Sequence, residues 1–206
     1  ALTTGTHNIA LGQSALGVAT TSSTNIAIGS SAMGQGITTG GCNIALGETA
    51  SGQLTSGTHN IALGLNALNA STTGCYNVAI GVTALGGAVT TGKCNVAIGV
   101  NTMDAMVTGV DNIALGKNAL GLAACGNYNI AMGGGAMAAA VTGSDNVGIG
   151  RSAAGALLGG ACNVAIGPNA FAAATTGSTN IAIGLNTMGV AATTGIDNIG
   201  MGQGAL

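Results

Sequence analysis

The chain has 206 residues, a formal net charge of −2 and only three Lys or Arg residues. So few basic side chains cannot neutralise a run of phosphates, which argues against nucleic-acid binding. With no Trp, one Phe and two Tyr, the sequence also lacks the large side chains of an ordinary globular core, yet it is too rich in aliphatic residues for a disordered segment. No apolar run approaches the roughly 18 residues that span a bilayer, so membrane insertion is not expected.

One pentapeptide recurs along the whole chain: Asn, then Ile or Val, then Ala or Gly, then Ile, Leu or Met, then Gly. Its asparagines are Asn8, Asn25, Asn43, Asn60, Asn77, Asn95, Asn112, Asn129, Asn146, Asn163, Asn180 and Asn198. The spacing is always 17 or 18 residues, and a fixed period of this size is typical of repeat architectures.

The alternation inside the pentapeptide has period two and therefore predicts a short strand that ends at the glycine. A second segment, such as Ser14-Ala15-Leu16, is predicted as a second strand of each repeat. Stacking equivalent strands gives an all-β fold, a parallel β-solenoid (β-roll) of twelve 17/18-residue coils that forms a single domain over 1–206. Helix-pair repeats need roughly 33 residues or more, so a helical repeat is excluded.

The branched residues are predicted to fill the narrow core, as at Ile9/Leu11 and Ile26/Ile28. The residues Leu16, Met33, Leu85 and Met103 are expected to join them. On the other strand face, Ala10, Ala27, Ala45 and their equivalents would let a neighbouring chain or the opposing strand approach closely.

Three further columns have structural interpretations. The asparagines are expected to hydrogen-bond along the stack, as Asn/Gln ladders do. The glycine three residues before each asparagine, replaced once by Ser22, is expected to need positive φ or close approach to the next coil. The three 18-residue repeats take their extra residue before Gly40, Gly92 and Gly195, so this connection is expected to lie on the outside.

The residue before each asparagine varies, which predicts an exposed or inter-chain face. This column contains His7, Thr24, Cys42, His59, Tyr76, Cys94, Asp111, Tyr128, Asp145, Cys162, Thr179 and Asp197. His7 and His59 are three coils apart, roughly 14 Å, so they cannot share a metal ion within one chain. Three copies of His59 would converge only in a threefold assembly, and a mixed polar face is the simpler interpretation. No metal site and no cofactor are predicted.

The five cysteines, Cys42, Cys75, Cys94, Cys125 and Cys162, contain no C-x-x-C pair, which excludes zinc-ribbon and haem sites. Cys75 and Cys94 lie in adjacent coils, one position out of register, and their separation suits a disulfide if their Cβ vectors cooperate. Bonds between chains and simple packing as small residues remain the alternatives.

Catalysis has no support, because the acids are scattered and neither histidine has a repeated partner. The chain is therefore predicted not to be an enzyme. The Thr-Thr-Gly connections raise ice binding as an alternative function, although adjacent threonines in a loop of variable length make a poor match to a lattice.

Stretches such as Asn25-Ile26-Ala27-Ile28-Gly29-Ser30-Ser31-Ala32-Met33 resemble the head repeats of trimeric autotransporter adhesins. They are also similar to the Asn-Ile-Ala-Ile-Gly-x-x-Ala-Leu repeats of phage and large-virus tail-fibre or surface proteins. The resemblance covers the whole chain and implies a left-handed parallel β-roll that associates as a trimer.

The expected function is therefore a structural or adhesive extracellular fibre on a cell or virion surface, with itself as partner and a host-surface receptor as ligand. No atypical capping repeat is recognisable, so we expect a segment of a longer fibre protein or a subunit of an end-to-end filament.

Overall fold

The computed structural model describes residues 4–19, 21–189 and 194–206, and it contains one three-residue strand in every repeat. The strands are β1 (Ile9–Leu11), β2 (Ile26–Ile28), β3 (Ile44–Leu46), β4 (Ile61–Leu63), β5 (Val78–Ile80), β6 (Val96–Ile98), β7 (Ile113–Leu115), β8 (Ile130–Met132), β9 (Val147–Ile149), β10 (Val164–Ile166), β11 (Ile181–Ile183) and β12 (Ile199–Met201). They form one 12-stranded sheet in the order of the sequence.

Every neighbouring pair is parallel and joins equivalent residues of successive repeats, as where Ile9 and Ala10 pair with Ile26 and Ala27. The chain is therefore a parallel β-solenoid, and the fold predicted from the 17/18-residue period is confirmed. Each coil stacks on the next at the strand spacing of about 4.8 Å.

The strand face that points into the core is the opposite of the one predicted. The middle residue of each internal strand, which is alanine except for Gly148 in β9, is buried, whereas Ile113 is 39% exposed and its equivalents are half-buried or exposed. The physical reason is the asparagine: it must lie inside to reach the next coil, and alternation places the alanine two residues later on the same side. The prediction that branched columns such as Ile9/Leu11 and Ile26/Ile28 fill the core was wrong.

The opposite wall of the core comes from the eighth residue after each asparagine from Asn8 to Asn180, and it includes the predicted residues Leu16, Met33, Leu85 and Met103, all buried. These long side chains reach across to the alanine column. At Gly148, which replaces alanine, a Cβ atom would lie 3.1 Å from Met137 Cε. Alanine thus sets the narrow width of the coil.

The predicted second strand does not form, because the segment Ser14-Ala15-Leu16 makes turns instead. Gly17 N donates to Ser14 O at 3.0 Å, and both Ser14 and Leu16 have positive φ, at 57° and 51°. Left-handed backbone is unusual for a large apolar residue. Burial of the Leu16 side chain offsets the conformational cost.

Glycine is required in two columns of the repeat, for different reasons. The glycine that ends each strand has a φ that side chains rarely adopt, 126° at Gly116. The glycine three residues before each asparagine is needed for close approach rather than for positive φ, since a Cβ at Gly74 would lie 2.9 Å from Gly92 O. The exception, Ser22, is fully buried, and its Oγ has no hydrogen-bond partner among the described residues.

The connection of variable length places its extra residue outside, as predicted. In the coils that end before Gly40 and Gly92, Ile37 and Val89 are exposed, while the threonine that follows each is buried. Thr38 Oγ1 donates to Leu54 O at 3.0 Å, which links this connection to the next coil. The third such connection, before Gly195, includes residues 190–193 and lies outside the described residues.

Candidate interaction surfaces

The asparagine column is scaffold, as predicted. In a representative coil, both the backbone N–H and the side-chain Nδ2 of Asn112 donate to Asn95 Oδ1, each at 3.1 Å. Asn112 Nδ2 also donates to Gly126 O of the following coil at 2.7 Å. The ten asparagines from Asn25 to Asn180 are buried and hydrogen-bonded between coils, so they are not available to a ligand.

The first and third residues of the twelve strands form one continuous surface, here called the apolar face. It consists of Ile, Val, Leu and Met side chains at the strand spacing, and Ile98, Ile113, Met132, Ile149 and Ile166 are 36–39% exposed. Eleven spacings of about 4.8 Å and a width of about 12 Å give an area on the order of 600 Å2. Monomeric soluble proteins rarely expose a larger apolar patch.

The column that precedes each asparagine borders the apolar face at the N-terminal end of the strands, and we call it the leading rim. The structure exposes all twelve of its residues, including His7, Cys42, His59, Tyr76, Asp111, Tyr128, Asp145, Cys162 and Asp197. All of them have positive φ, between 56° and 62°. The variable column therefore lies on the surface, as predicted.

Leading-rim side chains contact their neighbours in adjacent coils. The rings of His59 and Tyr76 stack with centroids 4.9 Å apart, which is the coil spacing. At the other end of the rod, Thr179 Oγ1 donates to Asp197 Oδ1 at 2.6 Å. His7 and His59 remain in separate coils, as expected, and no group of three or more His, Cys, Asp or Glu residues in the described part of the chain is arranged to hold a metal ion.

A second exposed column follows the glycine at the C-terminal end of each strand, and we call it the trailing rim. It contains Gln13, Ser30, Glu48, Leu65, Val82, Val100, Lys117, Gly134, Arg151, Pro168, Leu185 and Gln203, all exposed. Sequence reasoning missed this column, although its variability beside an invariant glycine is the same signal that marked the leading rim.

The threonines form a more regular surface than their loop suggested. The fourth residue before each asparagine is exposed in every coil: Thr4, Thr21, Thr39, Ser56, Thr73, Thr91, Thr108, Cys125, Thr142, Gly159, Thr176 and Thr194. This threonine column keeps its register because the extra residue of the longer coils lies before it. Hydroxyls such as Thr91 Oγ1, which donates to Val107 O at 3.2 Å, link successive coils.

All five cysteines are free thiols. Cys75 pairs in register with Lys93, one residue before Cys94, so the two cysteines belong to adjacent columns. Cys75 Sγ instead accepts from Thr58 N and donates to Thr73 O, each at 3.4 Å. The structure therefore lacks the Cys75–Cys94 disulfide that the sequence left open.

A shallow cavity of about 350 Å3 lies beside Asp104 and is lined by Asn101, Asn118, Gly121, Leu122 and Ala138. Asp104 Oδ1 is buried and has no hydrogen-bond partner among the described residues. Burial raises the pKa of the Asp104 carboxyl, and a backbone hydrogen bond from Gly87 partly opposes that rise. The sequence signal was available, since most other coils have Gly or Ala at this position.

Comparison of the chain with protein-family models, with curated proteins and with solved structures finds no match. Within the residues that the structure describes, there is no helix long and apolar enough to cross a membrane. The surfaces described above are therefore the basis for a functional assignment.

Proposed function

We propose that this protein is a structural and adhesive element of an extracellular fibre, in which solenoid rods associate with one another through the apolar face. The observation that supports this proposal is the apolar face, whose two columns of Ile, Val, Leu and Met side chains stay partly exposed along the entire rod. Water contact with such a surface is unfavourable, and its area approaches the roughly 800 Å2 per partner of a stable protein interface.

The division between scaffold and surface supports a role in attachment. The asparagine, alanine and long apolar columns that hold the coils together are buried, whereas the leading rim changes from coil to coil. A rigid rod whose exposed column mixes Tyr, His and Asp presents an extended surface for a receptor on a host cell. We place such a fibre on a cell or virion exterior.

Self-association is tested by measuring the mass of the purified chain over a range of concentrations with light scattering, together with electron microscopy. We expect assemblies of two or more chains. Ile113→Asp should weaken the association at least about tenfold, because it buries a charge in the apolar contact. The matched control is Ile37→Asp, since Ile37 is also exposed but lies on the connection. A chain that stays monomeric at every concentration would refute the proposal.

Ice binding is a second candidate, and the exposed threonine column favours it. Ten of its twelve residues are Thr or Ser, at a spacing of about 4.8 Å per coil. In five coils the residue two positions later adds a further hydroxyl: Thr6, Ser23, Thr58, Ser144 and Ser178. Thermal hysteresis of the wild-type protein, lost in Thr91→Tyr and kept in Ile113→Asp, would establish this function. Absence of hysteresis would eliminate it.

A further inference from the structure

The apolar face offers no means of choosing an axial position for a partner rod. Its side chains are nearly the same in every coil, so a partner shifted by one coil, about 4.8 Å, buries almost the same surface. Registers of such repetitive surfaces are weakly specified unless polar residues at the edges select one, as charges beside a coiled-coil seam do.

The two rims have opposite charges in two coils. Asp111 lies on the leading rim before β7 and Lys117 on the trailing rim after it, and Asp145 and Arg151 have the same positions around β9. All four side chains are exposed. A whole strand separates the acid from the base of one coil, on the order of 15 Å, so neither pair can form within a chain.

We propose that copies of this chain associate side by side with parallel rod axes and matching coils, so that the leading rim of each copy meets the trailing rim of the next. This inference rests on the self-association proposed above. Asp111 then faces Lys117 of the partner subunit, and Asp145 faces Arg151 of the partner subunit. These pairs fix the register of the assembly.

The positions of the charges make this register unique. A shift of one coil in either direction places Asp111 opposite Val100 or Gly134, and Asp145 opposite Gly134 or Pro168. A shift of two coils keeps one acid–base pair and loses the other. Only the unshifted arrangement gives both cations of the trailing rim an acidic partner.

An antiparallel arrangement about the middle of the rod is less favourable. It would place Lys117 opposite Val100 and Arg151 opposite Leu65, so both permanent cations would face apolar side chains. In return it would align His7 with Asp197 and His59 with Asp145, but these contacts leave Lys117 and Arg151 without an acidic partner. It would also bring Cys42 to Cys162 of the partner subunit, which gives this alternative a distinct chemical signature.

A charge exchange tests the parallel register. Asp111→Lys and Lys117→Asp each create a like-charge contact and should weaken association at least about tenfold at low ionic strength. The double variant Asp111→Lys/Lys117→Asp should regain the wild-type dissociation constant to within about threefold, because the swapped charges again face each other across the interface. Lys93→Asp is the matched control, since Lys93 is exposed but lies on neither rim.

The outcomes separate this inference from the function on which it rests. Association that the double variant fails to restore would overturn the register and leave self-association intact. A Cys42–Cys162 disulfide between chains, formed with oxidised glutathione and located by peptide mapping, would establish the antiparallel arrangement instead. In that exchange the two thiols lose two protons and two electrons, and the glutathione disulfide is reduced to two thiols. A strictly monomeric chain would refute both proposals.

Discussion

Two adjacent residues of β7, Ile113 and Ala114, allow a direct test of which strand face forms the core. Ala114 is 0% exposed and Ile113 is 39% exposed. Aspartate at position 114 would put a carboxylate between the asparagine ladder and the long apolar column, where the donors of Asn112 are already engaged between coils. Burial of such a group, together with overpacking of the narrow coil, should cost about 3–5 kcal/mol.

The same substitution at position 113 should cost much less. The remaining 61% of Ile113 that is buried (100 − 39) corresponds to roughly 80 Å2 of apolar surface, which at about 25 cal/mol per Å2 sets a loss of about 2 kcal/mol. The new carboxylate stays hydrated at the surface. We therefore expect Ala114→Asp to be more destabilising than Ile113→Asp by at least about 1 kcal/mol.

The assay is urea denaturation followed by circular dichroism, at a protein concentration below that at which chains associate. This condition matters because loss of association would lower the apparent stability of Ile113→Asp by mass action. If Ile113→Asp proved as damaging as Ala114→Asp in the monomer, the branched columns would be the core and the reasoning from the asparagine ladder would fail.

Two further predictions follow from single residues. Gly116→Ala should lower the free energy of unfolding by at least about 2 kcal/mol, because φ is 126° and the new Cβ would lie 2.8 Å from Gly133 O. Gly134→Ala is the control, since its Cβ would have its nearest neighbour at 4.0 Å. This control should be nearly neutral in the same denaturation assay. Asp104→Asn should stabilise the protein at neutral pH. Burial raises the folded-state pKa of Asp104 above the ordinary value of 3.8. Ionisation of this carboxyl therefore costs no stability below pH 3.8, and the cost appears as the pH rises through the folded-state pKa. Thermal denaturation of both proteins at pH 3 and pH 7 checks this, and a variant that is equally stabilised at both values would contradict the linkage.

The period of the sequence was sufficient to predict the coils, the pentapeptide strand and the asparagine ladder, but not which side of that strand faces inward. Alternation groups Asn112 with Ala114 and Ile113 with Leu115, and hydrophobicity favours the second pair as core. The ladder reverses this choice, since an asparagine that bonds both to the previous asparagine and to the next coil has to be inside. A 17-residue coil is also too narrow for two opposing walls of large side chains, so alanine on one wall accommodates leucine or methionine on the other.

Left-handed backbone at large residues could not be predicted from the local sequence. Leu16 and Phe171 have φ values of 51° and 55°, a region in which glycine and asparagine are expected. Their conformation is a consequence of tertiary context: the turn aims each side chain into the core, and the next coil holds the backbone, as Phe171 N does by donating to Thr187 O at 2.8 Å. Because the local sequence does not indicate this left-handed turn, the Ser14-Ala15-Leu16 segment was predicted as a strand.

The scarcity of charge gives the few charged residues an unusual weight. With 4% of residues charged, the surface has little electrostatic repulsion to oppose contact between rods, and in the proposed assembly the apolar face would provide the driving force. Adding charge throughout the face would prevent assembly, while having none at its edges would leave the register free to slip. Placing an acid and a base on opposite rims of the same two coils meets both requirements, because the charges remain hydrated at the border and still discriminate among positions 4.8 Å apart. In the proposed assembly, specificity would therefore belong to the residues that depart from the repeat.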